Sequence, residues 1–493
     1  MTLRKIVRDE YCWLQGGWLL CAIGLIQVRS AKFQLLMLFN SFAFLLVFLP
    51  ASLVLHWLVE CFRPQWRLPL LLVLSFLFYG YWDWRFAPLL ASSIVVNWLV
   101  AQAFLRSGQG ALITLALVSN LIVLGIFKYF NFFMGLADLV PGLTVPKWDI
   151  GLPLGISFFT FHHVMYLVDL KAGRAPRYSL MRYALYIAFF PQVLAGPLVR
   201  WSEIMHQLDE RPYDRPDAAQ RFGQGFMLLA MGLVKKVFLS DPLAGYVNPI
   251  FAQAAAGHAV SAAEAWQATL GFTFQIYFDF SGYTDMALGM ALMLGILLPQ
   301  NFDKPYAATS LQDFWRRWHM TLSRFLRDYL YIPLGGSRHG LAVQMGALFV
   351  TMALGGLWHG AGLTFVAWGV AHGLGLAAGA LWRKAGLRMP AALGWLLTML
   401  FVMLAWVLFR APSFEAAVRI YEGLFGLASL GSEFKWRAIA IAAAVACLGP
   451  TTWTVMKRIR PHPSIAVGFA VLLMAVLLQI GDAANYEFIY FQF

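Results

Sequence analysis

The stretch LAVQMGALFVTMALGGLWHGAGLTFVAWGVAHGLGLAAGALW, residues 341–382, contains no Asp, Glu, Lys or Arg. A helix that crosses the ~30 Å hydrocarbon core of a bilayer needs about 20 predominantly apolar residues. This stretch is long enough for two such helices, with a glycine-rich segment between them. It therefore predicts membrane spans at 341–357 and 361–382.

The composition of the whole chain also indicates a membrane protein. Only 12% of the 493 residues are charged and 60% are hydrophobic, whereas a soluble domain carries roughly 25% charged residues. So few charges cannot cover a soluble globule of this length. This excludes a soluble multidomain enzyme, a disordered protein and a fibrous protein. The predicted class is an all-α, polytopic integral membrane protein.

Apolar stretches recur along the chain and are separated by short polar or Pro/Gly-rich breaks. They predict about 11 to 13 transmembrane helices, with additional interfacial or re-entrant helices. The predicted spans are 38–60, 68–82, 86–105, 111–134, 181–198, 222–240, 264–280, 284–300, 341–357, 361–382, 391–410, 436–455 and 463–481.

The net charge of +13 does not point to a nucleic acid. Basic residues lie in short loops between apolar stretches, as in helical membrane proteins that follow the positive-inside rule. We therefore expect membrane lipid around the chain and no nucleic-acid partner. The four cysteines form no CxxC pair, and no pair of histidines four residues apart is joined to a carboxylate, so no metal site is expected.

The first 36 residues differ from the rest of the chain. Their apolar run, from Trp13 to Val28, is short for a span, and no signal-peptidase site follows it. A stronger hydrophobic segment begins at Met37. Residues 1–36 are thus predicted to be an N-terminal extension, either an extra hydrophobic segment or a misassigned start. Residues 37–493 are predicted to form one membrane domain.

The most polar block of the chain is DFWRRWHMTLSRFLRD, residues 313–328, with six formal charges and His319. At helical spacing Arg316, His319 and Arg327 fall on one face. One interpretation is an interfacial amphipathic helix with a solvated face. The other is a helix at the mouth of a cavity, with cationic groups for an anionic substrate and an imidazole for chemistry.

His359 lies in LGGLWHGAG (354–362), inside the charge-free stretch. Ionisable residues in membrane segments mark functional sites by default. Glycines around it allow close backbone approach to a helix or a ligand. The alternative is a structural histidine that is hydrogen-bonded where small residues pack two helices.

A third block, QIYFDFSGYTDMALG (275–289), carries Asp279 and Asp285 in apolar surroundings. Such carboxylates must pair or face water. They could relay protons in a transporter, or anchor Tyr and Arg side chains of a cavity wall. The signatures of serine hydrolases, P-loop proteins and zinc proteases are absent from the sequence.

Several blocks together resemble the membrane-bound O-acyltransferase family, in particular the bacterial branch with the membrane subunit of alginate O-acetylation and the teichoic acid D-alanyl transferase. The blocks are PLGISFFTFHHVMYLVDL (153–170), PQVLAGPLVR (191–200), YFDFSGYTDMALG (277–289), NFDKPYAATSLQDFWRRWHMTLSRFLRDYLYIPLGGSR (301–338), LGGLWHGAG (354–362) and FIYFQF (488–493). The resemblance implies tilted helices around a central funnel, in a multi-pass protein of the bacterial inner membrane.

The resemblance also implies roles for individual residues. His359 matches the catalytic histidine of the family and His319 the second signature position. Candidates for binding the substrate or donor are Trp315, Arg316, Arg317, Trp318, Trp358, Asp279 and Tyr283. The implied donor is acetyl-CoA or another thioester, used as a co-substrate without a bound cofactor. Periplasmic acetylation proteins and an exopolysaccharide are the implied partners.

The chemistry of the residues agrees with acyl transfer. Moving an acetyl group from a thioester to a hydroxyl needs a base, and an imidazole titrates near neutral pH. The leading hypothesis is O-acetylation of an exported polysaccharide such as alginate. Cellulose, peptidoglycan, teichoic acid or a lipid are alternative acceptors. An ion-coupled transporter that uses Asp279 and Asp285, or a scaffold for partner proteins, is the competing class.

Overall fold

The computed structural model describes residues 38–137, 148, 151–194, 196–431, 433–459, 462–482 and 488–489. Over these ranges the regular elements are helices, and no strand occurs in them. The prediction of an all-α protein is therefore confirmed. The predicted extension, residues 1–36, lies outside the described residues.

The N-terminal part of the described chain contains nine α-helices. They are α1 (Leu49–Phe62), α2 (Arg67–Asp83), α3 (Ala87–Ser107), α4 (Gly110–Leu124), α5 (Phe130–Ala137), α6 (Ile156–Lys171), α7 (Leu180–Ala188), α8 (Phe190–Val193) and α9 (Trp201–Ile204). A π-helical turn, Gly125–Tyr129, joins α4 to α5. The prediction of one span over 181–198 is wrong, because the backbone is extended at Phe189 and Pro191 lies in the first turn of a separate short helix.

The centre of the chain contains α10 (Ala218–Val234), α11 (Asp241–Ala255) and α12 (Ala262–Met293). Of these helices α12 is the longest, with 32 residues. The prediction of two spans at 264–280 and 284–300 is wrong, because α12 continues through Gly282. A Cβ at Gly282 would lie 2.8 Å from the carbonyl oxygen of Gly232. The glycine therefore permits close packing of α10 on α12 and does not end the helix.

The C-terminal part begins with two short helices and continues with long apolar ones. They are α13 (Leu311–Arg317), α14 (Met320–Leu326), α15 (Leu341–His359), α16 (Leu363–Lys384), α17 (Ala391–Arg410), α18 (Phe414–Leu424), α19 (Trp436–Leu448), α20 (Thr452–Arg458) and α21 (Pro463–Asp482).

Eight helical segments within the described ranges are long and apolar enough to cross a membrane. The number becomes nine if α19 and α20, which are bent by 58° at the break between them, count as one span. The protein is therefore a multi-pass membrane protein. This number is lower than the predicted 11 to 13, partly because the central helix α12, which carries three carboxylates, and the broken segment over 181–198 do not qualify as spans.

Helices α15 and α16 pack closely along the charge-free stretch. A Cβ at Gly356 would lie 2.2 Å from the carbonyl oxygen of Phe365, and one at Gly369 would lie 2.2 Å from that of Met352. No real Cβ approaches a backbone atom so closely, so both positions require glycine. The prediction that glycines near His359 allow close backbone approach is confirmed for Gly356.

Gly356→Ala is expected to destabilise the protein by about 1–3 kcal/mol, because the added methyl group meets a backbone oxygen that cannot move away. The measurement is the midpoint of thermal unfolding in detergent. Gly346→Ala, on the same helix, is the matched control because nothing lies within 4 Å of its Cβ. Equal midpoints for the two variants would contradict this account of the packing.

Candidate active site

His359 is the last residue of α15, and the next residue, Gly360, has an extended backbone with φ −158°. Its side chain is buried, with 4% of its surface exposed. Three aromatic rings surround the imidazole edge to face, at centroid distances of 4.8 Å for Trp358, 5.1 Å for Trp368 and 5.2 Å for Phe409. The end of the helix thus presents the imidazole within an aromatic cage.

His319 lies at a break between α13 and α14. The interpretation of 313–328 as one helix, with Arg316, His319 and Arg327 on one face, is wrong. His319 has φ +42° and ψ +55°, a left-handed conformation that few non-glycine residues adopt. As a result its ring is fully buried, while Arg316 is exposed.

Asn301 explains the break, because it binds the first turn of α14. Its backbone carbonyl accepts the N–H of Met320 at 2.9 Å. Its side-chain oxygen accepts the N–H of Thr321 at 3.2 Å and the hydroxyl of the same residue at 2.9 Å. These contacts satisfy N–H groups that a helix start leaves without intrahelical partners.

The same side-chain oxygen sets the protonation pattern of His319. Nδ1 of the ring lies 3.1 Å from Oδ1 of Asn301, and an amide oxygen only accepts, so Nδ1 carries the hydrogen. Nε2 therefore bears a lone pair, and it has no hydrogen-bond partner among the described residues. Burial lowers the pKa of His319 to about 3, which keeps the ring neutral.

Trp358 connects the two histidines. Its ring centroid lies 4.8 Å from that of His359 and 6.3 Å from that of His319. Phe161 stacks on Trp358 at 5.4 Å. The indole N–H of Trp358 is buried and has no partner among the described residues. One indole thus lies beside both imidazoles with an unused donor.

Two cavities flank this region. The first, of about 130 Å³, is lined by Lys128, Phe158, Trp358 and His359 among others. Residues 152–157, at and just before the start of α6, form much of the rest of its wall together with Trp82 and Leu194. His359 therefore lies on the wall of this cavity.

The second cavity, of about 370 Å³, is lined by α13, α14, the N-terminal two thirds of α15 and the C-terminal half of α16. Its basic residues are Arg316, Arg324, Arg327 and Arg383. Met352, on its wall, precedes His359 by seven residues, which is ~10 Å along the helix. The basic cavity is therefore distinct from the first cavity and lies about two turns from His359.

Some of the predicted binding residues line the two cavities, and others do not. Trp315 and Arg316 line the basic cavity, and Trp358 lines the first. Arg317 instead pairs with Asp313 at 2.9 Å. Trp318 is fully buried and packs between Phe314 and Trp406, so it has a place in the core.

Asp279 and Tyr283 belong to a separate buried polar cluster. Asp279 pairs with Lys236 at 2.7 Å and accepts the backbone N–H of Ile489 at 2.7 Å. The hydroxyl of Tyr283 donates to Asn40 at 2.9 Å. Neither residue lines the two cavities, although Phe280, one residue from Asp279, packs edge to face on His319 at 4.7 Å.

Sequence reasoning missed Lys128 and Asn301. Lys128 is a lone charge within the predicted span 111–134, which is a signal of function in membrane proteins. Asn301 gives no such signal, because its role appears only when the chain folds back on His319. Within the described ranges, no three His, Cys, Asp or Glu side chains lie close enough together to hold a metal ion.

Comparisons with known proteins place these features in a family. The model of the membrane-bound O-acyltransferase family matches residues 109–416. The probable alginate O-acetylase AlgI of Pseudomonas aeruginosa is 40% identical over 401 residues, covering 79% of this chain and 75% of that protein. The peptidoglycan O-acetyltransferase of Helicobacter pylori is 38% identical over 426 residues, covering 79% and 80%.

A more distant relative extends the range of named activities. The teichoic acid D-alanyltransferase of Streptococcus thermophilus is 27% identical over 281 residues, which cover 52% of this chain and 68% of that protein. All three relatives are named as enzymes that transfer an acyl group.

Lys236→Met is expected to destabilise the protein by about 3–5 kcal/mol, because Lys236 pairs with both Asp279 and Asp241 and its loss leaves two buried carboxylates without their cation. Asp279→Leu is expected to cost less, because Lys236 keeps its ion pair with Asp241. The variants are compared by thermal unfolding in detergent, with the exposed Asp217→Ala as control. A wild-type unfolding midpoint for Lys236→Met would contradict a structural role for these ion pairs.

Proposed function

The chain belongs to the membrane-bound O-acyltransferase family, and from this premise we propose that it acetylates hydroxyl groups of an exported polysaccharide. The donor is a thioester on the cytoplasmic side, with acetyl-CoA as the first choice. An alginate-like polymer is the leading acceptor, because the relative at 40% identity is named for alginate. Peptidoglycan is the second candidate, supported by the relative named for it at 38% identity.

The observation that carries the proposal is the position of His359 on the wall of a cavity. In the proposed reaction its imidazole takes the proton of the acceptor hydroxyl, while the oxygen attacks the thioester carbonyl. The C–S bond then breaks, and the thiolate receives the proton from the imidazolium. An acetate ester and a free thiol are the products.

The hydrogen bond between His319 and Asn301 limits the roles that His319 can have in this reaction. Because Nδ1 donates to Asn301, Nε2 can only accept, so the neutral ring offers no N–H to an oxyanion. We therefore assign His319 an orienting role. The indole N–H of Trp358, a donor without a partner in the described structure, is the better candidate for stabilising the oxyanion.

The basic cavity suits the anionic part of the donor. Arg324 and Arg327 pair with Glu203 and Asp328, whereas Arg316 and Arg383 have no carboxylate partner in the described part of the chain. These two guanidinium groups are free to bind phosphate. The positive-inside rule favours the cytoplasm for this basic face, and the relatives are bacterial, so the proposed location is the bacterial inner membrane.

The two competing hypotheses, a transporter and a scaffold, have less support. In a transporter Asp279 and Asp285 would need to exchange protons, yet they are paired with Lys236 and Lys235 at 2.7 and 2.6 Å. A scaffold would not need an imidazole on a cavity wall. Periplasmic proteins that complete the transfer to polymer, together with the exopolysaccharide, remain the expected partners.

His359→Ala is expected to lower acetyl transfer about 100-fold or more, because the base is lost. A strain that lacks the gene is complemented with each variant, and acetate released from its exported polymers by mild alkali is measured. Membrane abundance is followed by immunoblot. The exposed His258→Ala is the matched control. Polymer acetylation at the wild-type level in His359→Ala would overturn the proposal.

The double variant Arg316→Ala and Arg383→Ala is expected to raise KM for acetyl-CoA about 10-fold, since charge-assisted hydrogen bonds to phosphate are lost. The measurement uses membrane vesicles and radiolabelled acetyl-CoA, with label in polymer as the product. Little change in kcat is expected. Arg388→Ala, exposed in the same region, is the control. An unchanged KM would show that the donor binds elsewhere.

A further inference from the structure

A π-helical turn interrupts a membrane span next to the candidate active site. It comprises Gly125–Tyr129, between α4 and α5, and it contains Lys128 and Tyr129. Single π-helical turns within α-helices occur frequently at functional sites. Consecutive side chains of an α-helix diverge by about 100°. The wider turn lets these two consecutive side chains reach the same target.

That target is the C-terminal end of α15. The ammonium of Lys128 donates to the carbonyl of Trp358 at 2.5 Å and to that of His359 at 3.3 Å. The hydroxyl of Tyr129 donates to the carbonyl of Leu357 at 2.9 Å. A helix leaves its last four carbonyls without intrahelical partners. The remaining one of these four carbonyls, that of Gly356, accepts the backbone N–H of Gly360 at 3.4 Å.

These contacts account for every carbonyl of the last helical turn. They also place a positive charge at the negative end of the helix dipole, where it is favourable. The ammonium lies 5.8 Å from the ring centroid of Trp358. No carboxylate in the described part of the chain pairs with Lys128. Its contacts are therefore concentrated on the backbone that carries His359.

We propose that Lys128 and Tyr129 are positioning residues for His359. The inference rests on the proposed role of His359 in acyl transfer. By binding three successive carbonyls, the pair fixes the last turn of α15 and thus the point from which the imidazole projects. Lys128 lines the same cavity as His359, so this fixation acts at the wall where the acceptor hydroxyl would bind. Displacement of a reacting group by 1 Å can cost about 100-fold in rate.

The role predicts an effect on kcat without an effect on donor binding. Lys128→Met keeps the length of the side chain and removes the charge and its donors. In the vesicle assay its kcat is expected to fall about 10- to 100-fold, with KM for acetyl-CoA within about 2-fold of wild type, because the basic cavity is unchanged. Lys128→Arg retains donors for the carbonyls and should recover most of the rate. The exposed Lys171→Met is the matched control.

Two results for Lys128→Met would overturn the inference. One is a wild-type kcat, and the other is a loss confined to KM. If Lys128→Met does not accumulate in membranes, Tyr129→Phe decides, since it removes one hydroxyl and keeps the ring. Its kcat is expected to fall about 3- to 10-fold, in line with the loss of one hydrogen bond. A wild-type kcat in Tyr129→Phe would then overturn the inference.

The His359→Ala variant separates this inference from the proposed function. An active His359→Ala protein means that the proposed function fails. An inactive His359→Ala protein together with a fully active Lys128→Met protein means that only the positioning role fails.

Discussion

A helix that ends in the buried interior of a protein must find partners for its last carbonyl groups, because little water reaches them there. Helix α15 ends in this way at His359, and the side chains of Lys128 and Tyr129 provide the partners. Much of the geometry of the candidate site depends on the C-terminal end of α15. It places His359 against the rings of Trp368 and Phe409 and beside the smaller cavity.

Close packing of two helices supports the same arrangement. Gly356 and Gly369 let α15 and α16 approach until their backbones touch. Trp368, next to Gly369, therefore reaches the imidazole of His359 at a centroid distance of 5.1 Å. In lipid such contact gains more from packing and backbone proximity than from a hydrophobic driving force. The charge-free composition of 341–382 is thus a requirement of both the bilayer and the packing.

Much of this organisation is readable in the sequence, and the limits have physical causes. An imidazole in a charge-free stretch is costly, so His359 and His372 both stand out there, and the LGGLWHGAG motif then selects His359. The geometry around His319 is not readable, because its left-handed backbone depends on Asn301, eighteen residues earlier. Likewise Gly282 looks like a break between spans, yet it is a contact point between α10 and α12. Local patterns predict helices well, whereas contacts between distant segments decide where they bend.

The left-handed backbone of His319 has a consequence for how this protein can change. A non-glycine residue in that conformation costs roughly 1–3 kcal/mol, which the surrounding contacts must offset. Glycine at this position would relieve the strain, but it would also remove a buried ring that packs on Phe280 and binds Asn301. The cavity left behind would cost at least as much as the strain. Backbone strain and side-chain packing therefore oppose each other at residue 319, and glycine there is not expected to stabilise the protein.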